Sequence, residues 1–144
     1  MQVFIPMIPP TTTHQQKQVM TTKAGRQMHY EPPKLADARA KLMAHFGQHA
    51  PANPFSGPLR VHVKWCFPIK GKWNHGDYKP TRPDAHNLQK LFFDCLTNLR
   101  YWHDDAQVVS ETVDKFYSNK PGIWLSIEML PKSALVLRRE EEEG

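Results

Sequence analysis

The clearest pattern of hydrophobic and polar positions lies between residues 84 and 105. At about 100° per residue, one side of a helix over this stretch carries apolar side chains, namely Leu88, Leu91, Phe92, Cys95, Leu96 and Leu99. The opposite side carries His86, Asn87, Lys90, Asp94 and Thr97. The spacing therefore predicts an amphipathic helix whose polar face combines a cation, an imidazole and a carboxylate.

Two other segments have a clear period. Residues 32–50 begin with a proline suited to a helix start and place Leu35, Ala38, Leu42 and Phe46 near helical spacing, which predicts a second helix. Residues 59–67 alternate apolar and polar side chains, the period of a strand with one buried face. A proline-rich loop, residues 51–58, separates these two elements.

The remaining segments predict strands. Residues 2–8 form an opening strand, residues 17–20 are compatible with a short edge strand, and residues 107–117 and 122–130 form two strands joined in a hairpin by residues 118–121. The order predicts an α+β fold, with a mixed β-sheet packed against two helices. We expect a single domain over residues 1–131 and a mobile acidic tail over residues 132–144.

Composition narrows the class of partner and the location. The 144 residues carry a formal net charge of +5 even though the chain contains Glu140 to Glu143, which favours a polyanionic partner. Cys66 and Cys95 lie in apolar settings and resemble small buried hydrophobic residues, so a reducing environment is expected. No apolar run approaches the ~20 residues of a membrane span. We therefore expect a cytoplasmic protein without membrane contact.

A basic and aromatic stretch precedes the amphipathic helix. It contains Lys70, Lys72, Trp73, Tyr78, Lys79 and Arg82, interrupted by glycine and proline. Cations can bind phosphates and flat aromatic rings can stack on unpaired bases, so these residues are candidates for DNA binding. The alternative is an ordinary surface loop whose lysines only keep the protein soluble.

Acidic residues flank the same helix and suggest a metal site. Asp84, Asp104 and Asp105 offer oxygen ligands, which favour Mg²⁺ or Mn²⁺, and His86 offers a nitrogen ligand that shifts the preference toward Mn²⁺. Lys90, one turn after His86, could stabilise phosphate charge. Each has a simpler interpretation: Asp84 as a helix cap, the aspartate pair as an exposed turn, and His86 and Lys90 as solvated helix surface.

Three motifs resemble the RusA family of Holliday-junction resolvases. They are Arg82-Pro-Asp-Ala-His-Asn-Leu-Gln-Lys90, Phe93-Asp-Cys-Leu-Thr97 and Trp102-His-Asp-Asp-Ala-Gln-Val108. The opening strand and its two prolines also resemble the family, so the likeness covers most of the chain. It implies a homodimeric endonuclease of DNA recombination and repair that binds four-way junctions or other branched DNA and cuts two strands symmetrically with Mg²⁺ or Mn²⁺.

The resemblance also implies roles for individual residues. Asp84 and Asp105 would be metal ligands, Lys90 the catalytic lysine and Asn87 a residue that supports the site, while Asp104 only neighbours a matched position. Where the family pattern has a second aspartate, this chain has His86, which brings no negative charge. A preference for Mn²⁺, or loss of cutting with junction binding retained, would be compatible with that difference.

These interpretations share one geometric expectation and leave two alternatives. We expect folding to bring Asp84, Asp105, His86 and Lys90 into one pocket that holds a divalent cation against a DNA phosphate. The alternatives are a junction-binding protein that has lost cleavage and a basic single-strand-binding module that uses Trp73 and Tyr78. Because a four-way junction has two-fold symmetry, a homodimer is expected, with Phe93 as an interface candidate.

Overall fold

A computed structural model describes residues 1–13, 18–21, 25 and 27–135. Its elements are β1 (Gln2–Pro6), β2 (Gln18–Thr21), β3 (Gln27–Tyr30), α1 (Pro33–Gly47), β4 (Leu59–Pro68), α2 (Ala85–Asn98), a short 3₁₀ helix (Asp105–Gln107), β5 (Val108–Ser118) and β6 (Gly122–Met129). Both predicted helices and the opening strand are confirmed within a few residues. Most of the predicted acidic tail, from residue 136 onward, lies outside the described residues.

The main sheet is mixed, with the strand order β1-β6-β4-β5. β4 runs parallel to β5 and antiparallel to β6, which in turn pairs antiparallel with β1. β2 and β3 form a separate antiparallel pair, so the segment near residue 18 is not an edge of the main sheet. The predicted α+β class with a mixed sheet and two helices is confirmed.

The predicted hairpin between β5 and β6 is wrong. β4 lies between them, because β5 follows α2 as a parallel crossover and β6 then returns along the other edge of β4. The connection over residues 119–121 crosses the end of β4. From Ser118 to Gly122 a chain can span roughly 14 Å, and two strand spacings need only about 10 Å. A link of this length can therefore join two neighbouring strands in a hairpin or two strands that have a third strand between them.

Both helices cover the same face of the sheet. Side chains of α1, α2, β4 and β6 interdigitate there, with Phe46 and Trp65 contacting Phe92 edge to face at ring distances of 4.7 Å and 5.2 Å. The Trp65 indole donates to Gln89 Oε1 at 2.8 Å, which satisfies the polar atoms of a buried pair. Within the described part of the chain, no helix is long and apolar enough to cross a bilayer.

The opposite face of the sheet carries paired polar groups. Arg60 contacts Glu128 at 3.2 Å, His62 contacts Asp114 at 2.8 Å, and the Lys64 ammonium lies 4.5 Å from the centre of the Trp124 ring. These cross-strand pairs join β4 to both of its neighbours. The face is consequently a polar surface whose charges already have partners.

Phe93 is part of the core and not a free interface residue. Only 8% of it is exposed, and its ring contacts Trp102 edge to face at 5.3 Å. The chain after α2 folds back over this flank of the helix, with Tyr101 and Trp102 both fully buried. The buried arc of α2 is therefore wider than one helical face, which the projection of the helix alone does not reveal.

Tyr101→Phe should destabilise the fold, because the Tyr101 hydroxyl donates to the backbone oxygen of Phe46 at 2.6 Å where α1 ends. Removing the donor loses one buried hydrogen bond, while the Phe46 oxygen still accepts from the His49 N–H at 3.1 Å, so the free energy of unfolding should fall by about 1 kcal/mol. Tyr78→Phe, at a site 69% exposed, is the matched control and should change it by less than about 0.5 kcal/mol. Equal values in urea unfolding would contradict this account.

Candidate active site

An open cleft of about 490 Å³ lies at the start of α2. Arg82 and Lys115 supply positive charge, Asp84 supplies a carboxylate, and threonine and asparagine side chains supply neutral polar groups. The lining consists of Thr11, Thr13, Pro80, Thr81, Arg82, Pro83, Asp84, Ala85, Asn87 and Lys115. Such a mixture can bind a phosphate group beside a carboxylate.

Asp84 caps α2 and lines this cleft. Its backbone is extended, and its Oδ1 accepts hydrogen bonds from the backbone N–H groups of His86 at 2.8 Å and Asn87 at 3.3 Å. These bonds fix the carboxylate at the positive end of the helix. Because both use the same oxygen, capping leaves the second oxygen available for another role. The cap interpretation and the metal-ligand prediction are thus compatible.

Lys115 supports the turn that leads to Asp84, and sequence analysis did not select it. Its ammonium donates to the backbone oxygens of Thr81 at 2.6 Å and Pro83 at 2.7 Å. Burial lowers the pKa of Lys115, nearby Lys79 lowers it further, and Asp84 acts in the opposite direction. Its position in the sequence could have identified it. Lys115 alternates with Val113 and Tyr117 and therefore lies on the face of β5 that points toward the helices.

The basic and aromatic loop is held against β5. The Lys79 N–H donates to the oxygen of Lys115 at 2.9 Å, and the Tyr117 N–H donates to the oxygen of Asp77 at 2.9 Å. Trp73 stacks on Tyr117 with ring centres 5.2 Å apart. These contacts favour a fixed surface over an ordinary flexible loop.

The predicted DNA-binding side chains differ in their freedom to reach a ligand. The Lys79 ammonium lies above the Tyr117 ring at 4.8 Å and donates to Thr81 Oγ1 at 2.8 Å. Tyr78 stacks on Phe116 at 4.9 Å but remains 69% exposed. Lys70, Lys72 and Arg82 are exposed. Tyr78 and these three cations are thus the more accessible members of the set.

His86 and Lys90 lie one turn apart on the exposed side of α2. Gln89, between them in the chain, is buried, and its Nε2 donates to Glu111 Oε1 on β5 at 3.1 Å. Lys90 does not line the cleft at Asp84. The two residues therefore extend the polar surface from the cleft along the exposed side of the helix.

Asp104 and Asp105 lie beyond the other end of α2. Asp104 Oδ1 accepts from the Ala106 N–H at 2.8 Å and caps the short 3₁₀ helix, while Gln107 Oε1 accepts from the Asp104 N–H at 3.0 Å. Partial burial raises the pKa of the Asp105 carboxyl, and the neighbouring Asp104 and Asp94 raise it further. The pair forms a capped turn with closely spaced negative charge.

Asp105 does not line the cleft that contains Asp84. The 14 residues of α2 lie between them in the chain, and the segment after the helix folds back over it, with Trp102 contacting Phe93 and Thr97. Val108, which follows the Asp105 turn, and Lys115, which holds the Asp84 turn, lie seven strand steps or about 23 Å apart along β5. Among the described residues, no three His, Cys, Asp or Glu side chains are close enough to hold a metal. The expected pocket with Asp84, Asp105, His86 and Lys90 stays a prediction.

Known proteins resemble this chain over most of its length. The family model described as "Endodeoxyribonuclease RusA" matches residues 7–128. The crossover junction endodeoxyribonuclease rusA of Lactococcus phage r1t is 32% identical over 118 residues, which are 81% of this chain and 88% of that protein.

Two further relatives match shorter regions. The uncharacterized protein YqaN of Bacillus subtilis is 36% identical over 91 residues, 56% of this chain and 63% of YqaN. The crossover junction endodeoxyribonuclease RusA of Escherichia coli K12 is 35% identical over 65 residues, 45% of this chain and 46% of that protein. With the family model covering residues 7–128 and the phage enzyme matching most of both chains, this protein belongs to the RusA endodeoxyribonuclease family.

Proposed function

We propose that this protein is a metal-dependent, structure-selective DNA endonuclease that resolves Holliday junctions by paired symmetric nicks and acts as a homodimer. The observation that carries the proposal is the cleft at the start of α2, where Asp84 lies beside Arg82 and Lys115 in a chain of the RusA family. A carboxylate next to two cations suits an anionic phosphodiester whose charge increases during cleavage.

The basic loop supports DNA as the substrate. Lys70, Lys72 and Arg82 are exposed cations, and Arg82 links them to the cleft. Contacts of this kind with phosphates supply affinity without sequence selection. Tyr78 offers an exposed ring that could stack on an unpaired base at a branch point, whereas the Trp73 ring is already stacked on Tyr117.

The metal ligands that we propose are Asp84, His86 and Asp105, and we propose that two copies of the chain assemble them. In one copy, Asp105 does not line the cleft that contains Asp84. Two carboxylates and an imidazole do suit a divalent cation, with Mn²⁺ favoured over Mg²⁺ by the nitrogen ligand. When bound, such a cation would activate water and neutralise charge on the phosphate.

The remaining residues have roles that follow from their own positions. The N–H groups of His86 and Asn87 hold the Asp84 carboxylate in one orientation, and Lys115 holds the preceding turn. Lys90 is exposed on α2, one turn after His86, where its ammonium can stabilise charge on a phosphate. Two such sites in a two-fold dimer would match the symmetry of a four-way junction.

The decisive assay incubates a labelled four-way junction with the protein and Mg²⁺ or Mn²⁺. We expect paired symmetric nicks that are absent from a linear duplex of the same sequence. Asp84→Asn should reduce cleavage on the order of 100-fold without loss of junction binding. Asp37→Asn, an exposed aspartate on α1 paired with Lys41, is the matched control and should cleave normally.

His86 motivates a second candidate, a junction-binding protein without cleavage. If the natural protein binds the junction and makes no nicks with either metal, the endonuclease proposal fails. If His86→Asp then cleaves the junction while its affinity for the junction is unchanged, this second candidate is favoured, because the natural site lacked only a third carboxylate.

A mixing experiment tests whether two chains share each site. Asp84→Asn and Asp105→Asn are each expected to be inactive. In a mixed dimer, one site regains both aspartates if they come from different chains, so an equal mixture should recover about a quarter of the natural nicking rate. No recovery after subunit exchange, verified by mass spectrometry, would contradict a shared site.

Lys115→Met should weaken catalysis by releasing the turn before Asp84, since two hydrogen bonds from one ammonium are lost. We expect kcat to fall on the order of tenfold and the Mn²⁺ concentration for half-maximal activity to rise, as when the support of a metal ligand is removed. Lys115→Arg should restore part of the activity. Lys120→Met, at an exposed side chain in the next turn, should have no effect.

A further inference from the structure

Two lysine side chains converge on Thr81 at the rim of the cleft, where the basic loop meets it. The Lys115 ammonium donates to the backbone oxygen of Thr81 at 2.6 Å, and the Lys79 ammonium donates to its Oγ1 at 2.8 Å. Thr81 and Lys115 line the cleft, whereas Lys79 does not. The two ammonium groups therefore form a basic cluster that lies partly in the cleft and partly beyond Thr81.

This cluster carries two positive charges close together. In the part of the chain that the structure describes, neither ammonium forms an ion pair with a carboxylate. Burial lowers the pKa of Lys115, and repulsion from Lys79 lowers it further, while Asp84 acts in the opposite direction. An anion bound between the two ammonium groups would relieve this repulsion. The cluster therefore favours an anionic ligand such as a phosphate group.

Both ammonium groups are held in position by their own contacts. The Lys79 ammonium lies over two aromatic rings, at 5.2 Å from the centre of Phe67 and 4.8 Å from that of Tyr117. Its backbone N–H donates to the oxygen of Lys115 at 2.9 Å, and the Lys115 ammonium bonds a second oxygen, that of Pro83, at 2.7 Å. Because side chains that are already fixed lose little conformational freedom on binding, the cluster is preorganised for a ligand.

Hydrogen-bond donors remain for such a ligand. A lysine ammonium has three donors. In contacts among the described residues, Lys115 uses two of them, while Lys79 uses one for Thr81 and has a longer contact of 3.5 Å with the Tyr117 hydroxyl. The Thr81 and Tyr117 hydroxyls lie 3.3 Å apart, and a bond between them uses only one of their hydrogens. Each ammonium and one hydroxyl can therefore donate to a phosphate oxygen.

We infer that Lys79, Thr81 and Lys115 form a second phosphate site, which binds the DNA phosphate adjacent to the one that is cut. Thr81 is three residues before Asp84, so their Cα atoms lie within about 10 Å of each other. One DNA strand carries a phosphate about every 3.4 Å along the helix axis, so adjacent phosphates can occupy the two positions. The second site would thus fix which phosphate of the strand lies at Asp84. That the ligand is DNA rests on the proposed function.

Uncharged phosphates test the second site without any cleavage. Each phosphate near the branch point is replaced in turn by a methylphosphonate, and the affinity for the junction is measured in EDTA. At one or more positions the natural protein should lose affinity about tenfold, and Lys79→Met should show no further loss there, because the contact is already absent. If the losses from the two changes multiply at every position, the second site is overturned.

Salt dependence separates a phosphate contact from a purely structural role of Lys79. In Lys79→Met, the slope of log affinity against log salt concentration should be shallower by about one, whereas Lys79→Arg keeps both the charge and the slope. Lys132→Met, at an exposed lysine beyond β6, is the matched control and should leave the slope unchanged. An unchanged slope in Lys79→Met, with folding confirmed by circular dichroism, would also overturn the second site. Lys79→Gln, which keeps a donor to Thr81, serves the same test if the methionine variant does not fold.

The second phosphate site and the endonuclease activity can fail independently. A position at which the losses do not multiply, in a protein that never nicks the junction, would retain the site and reject the proposed function. Paired nicks together with independent losses at every position would retain the function and reject the site.

Discussion

The rigid length of α2 is the constraint on which the arrangement of the site depends. Asp84 caps the helix at one end, and the Asp104-Asp105 turn follows its other end and caps a 3₁₀ helix, so each carboxylate is held in its own turn. Seven buried side chains hold α2 against the sheet and the chain that follows it. The proposed site, which uses both aspartates, would therefore be assembled by an approach of two surfaces and not by a rearrangement within one chain.

β5 connects the parts that α2 separates. At its start, Gln107 holds the turn of Asp105 through bonds to the backbone of Phe55 and Gly57. At its far end, Lys115 and Tyr117 anchor the basic loop and the turn before Asp84. Contacts between bound DNA and the loop can consequently influence the position of the Asp84 carboxylate, because β5 supports both the loop and the turn before Asp84.

Local periodicity predicted most elements of this fold, because α1, α2 and β4 each bury one regular face. Predictions that depended on how elements meet were less successful. β4 inserts between β5 and β6, and Phe93 meets Trp102 in a segment beyond the helix. Lys115 was missed for the same reason, since spacing along the chain does not show that it supports the turn before Asp84 from β5. The family resemblance, carried by the motifs around α2, was confirmed by the comparisons.

The substitution of an imidazole for a carboxylate at His86 changes the balance of charge around Asp84. Arg82, Lys115 and the positive end of α2 all lie near one carboxylate, so the cleft of a single chain attracts a phosphate more readily than a divalent cation. A second carboxylate is needed to reverse that preference locally, and Asp105 of the same chain does not line this cleft. If cleavage is retained, metal binding should therefore depend more strongly on the partner subunit here than in a family member with an aspartate in place of His86.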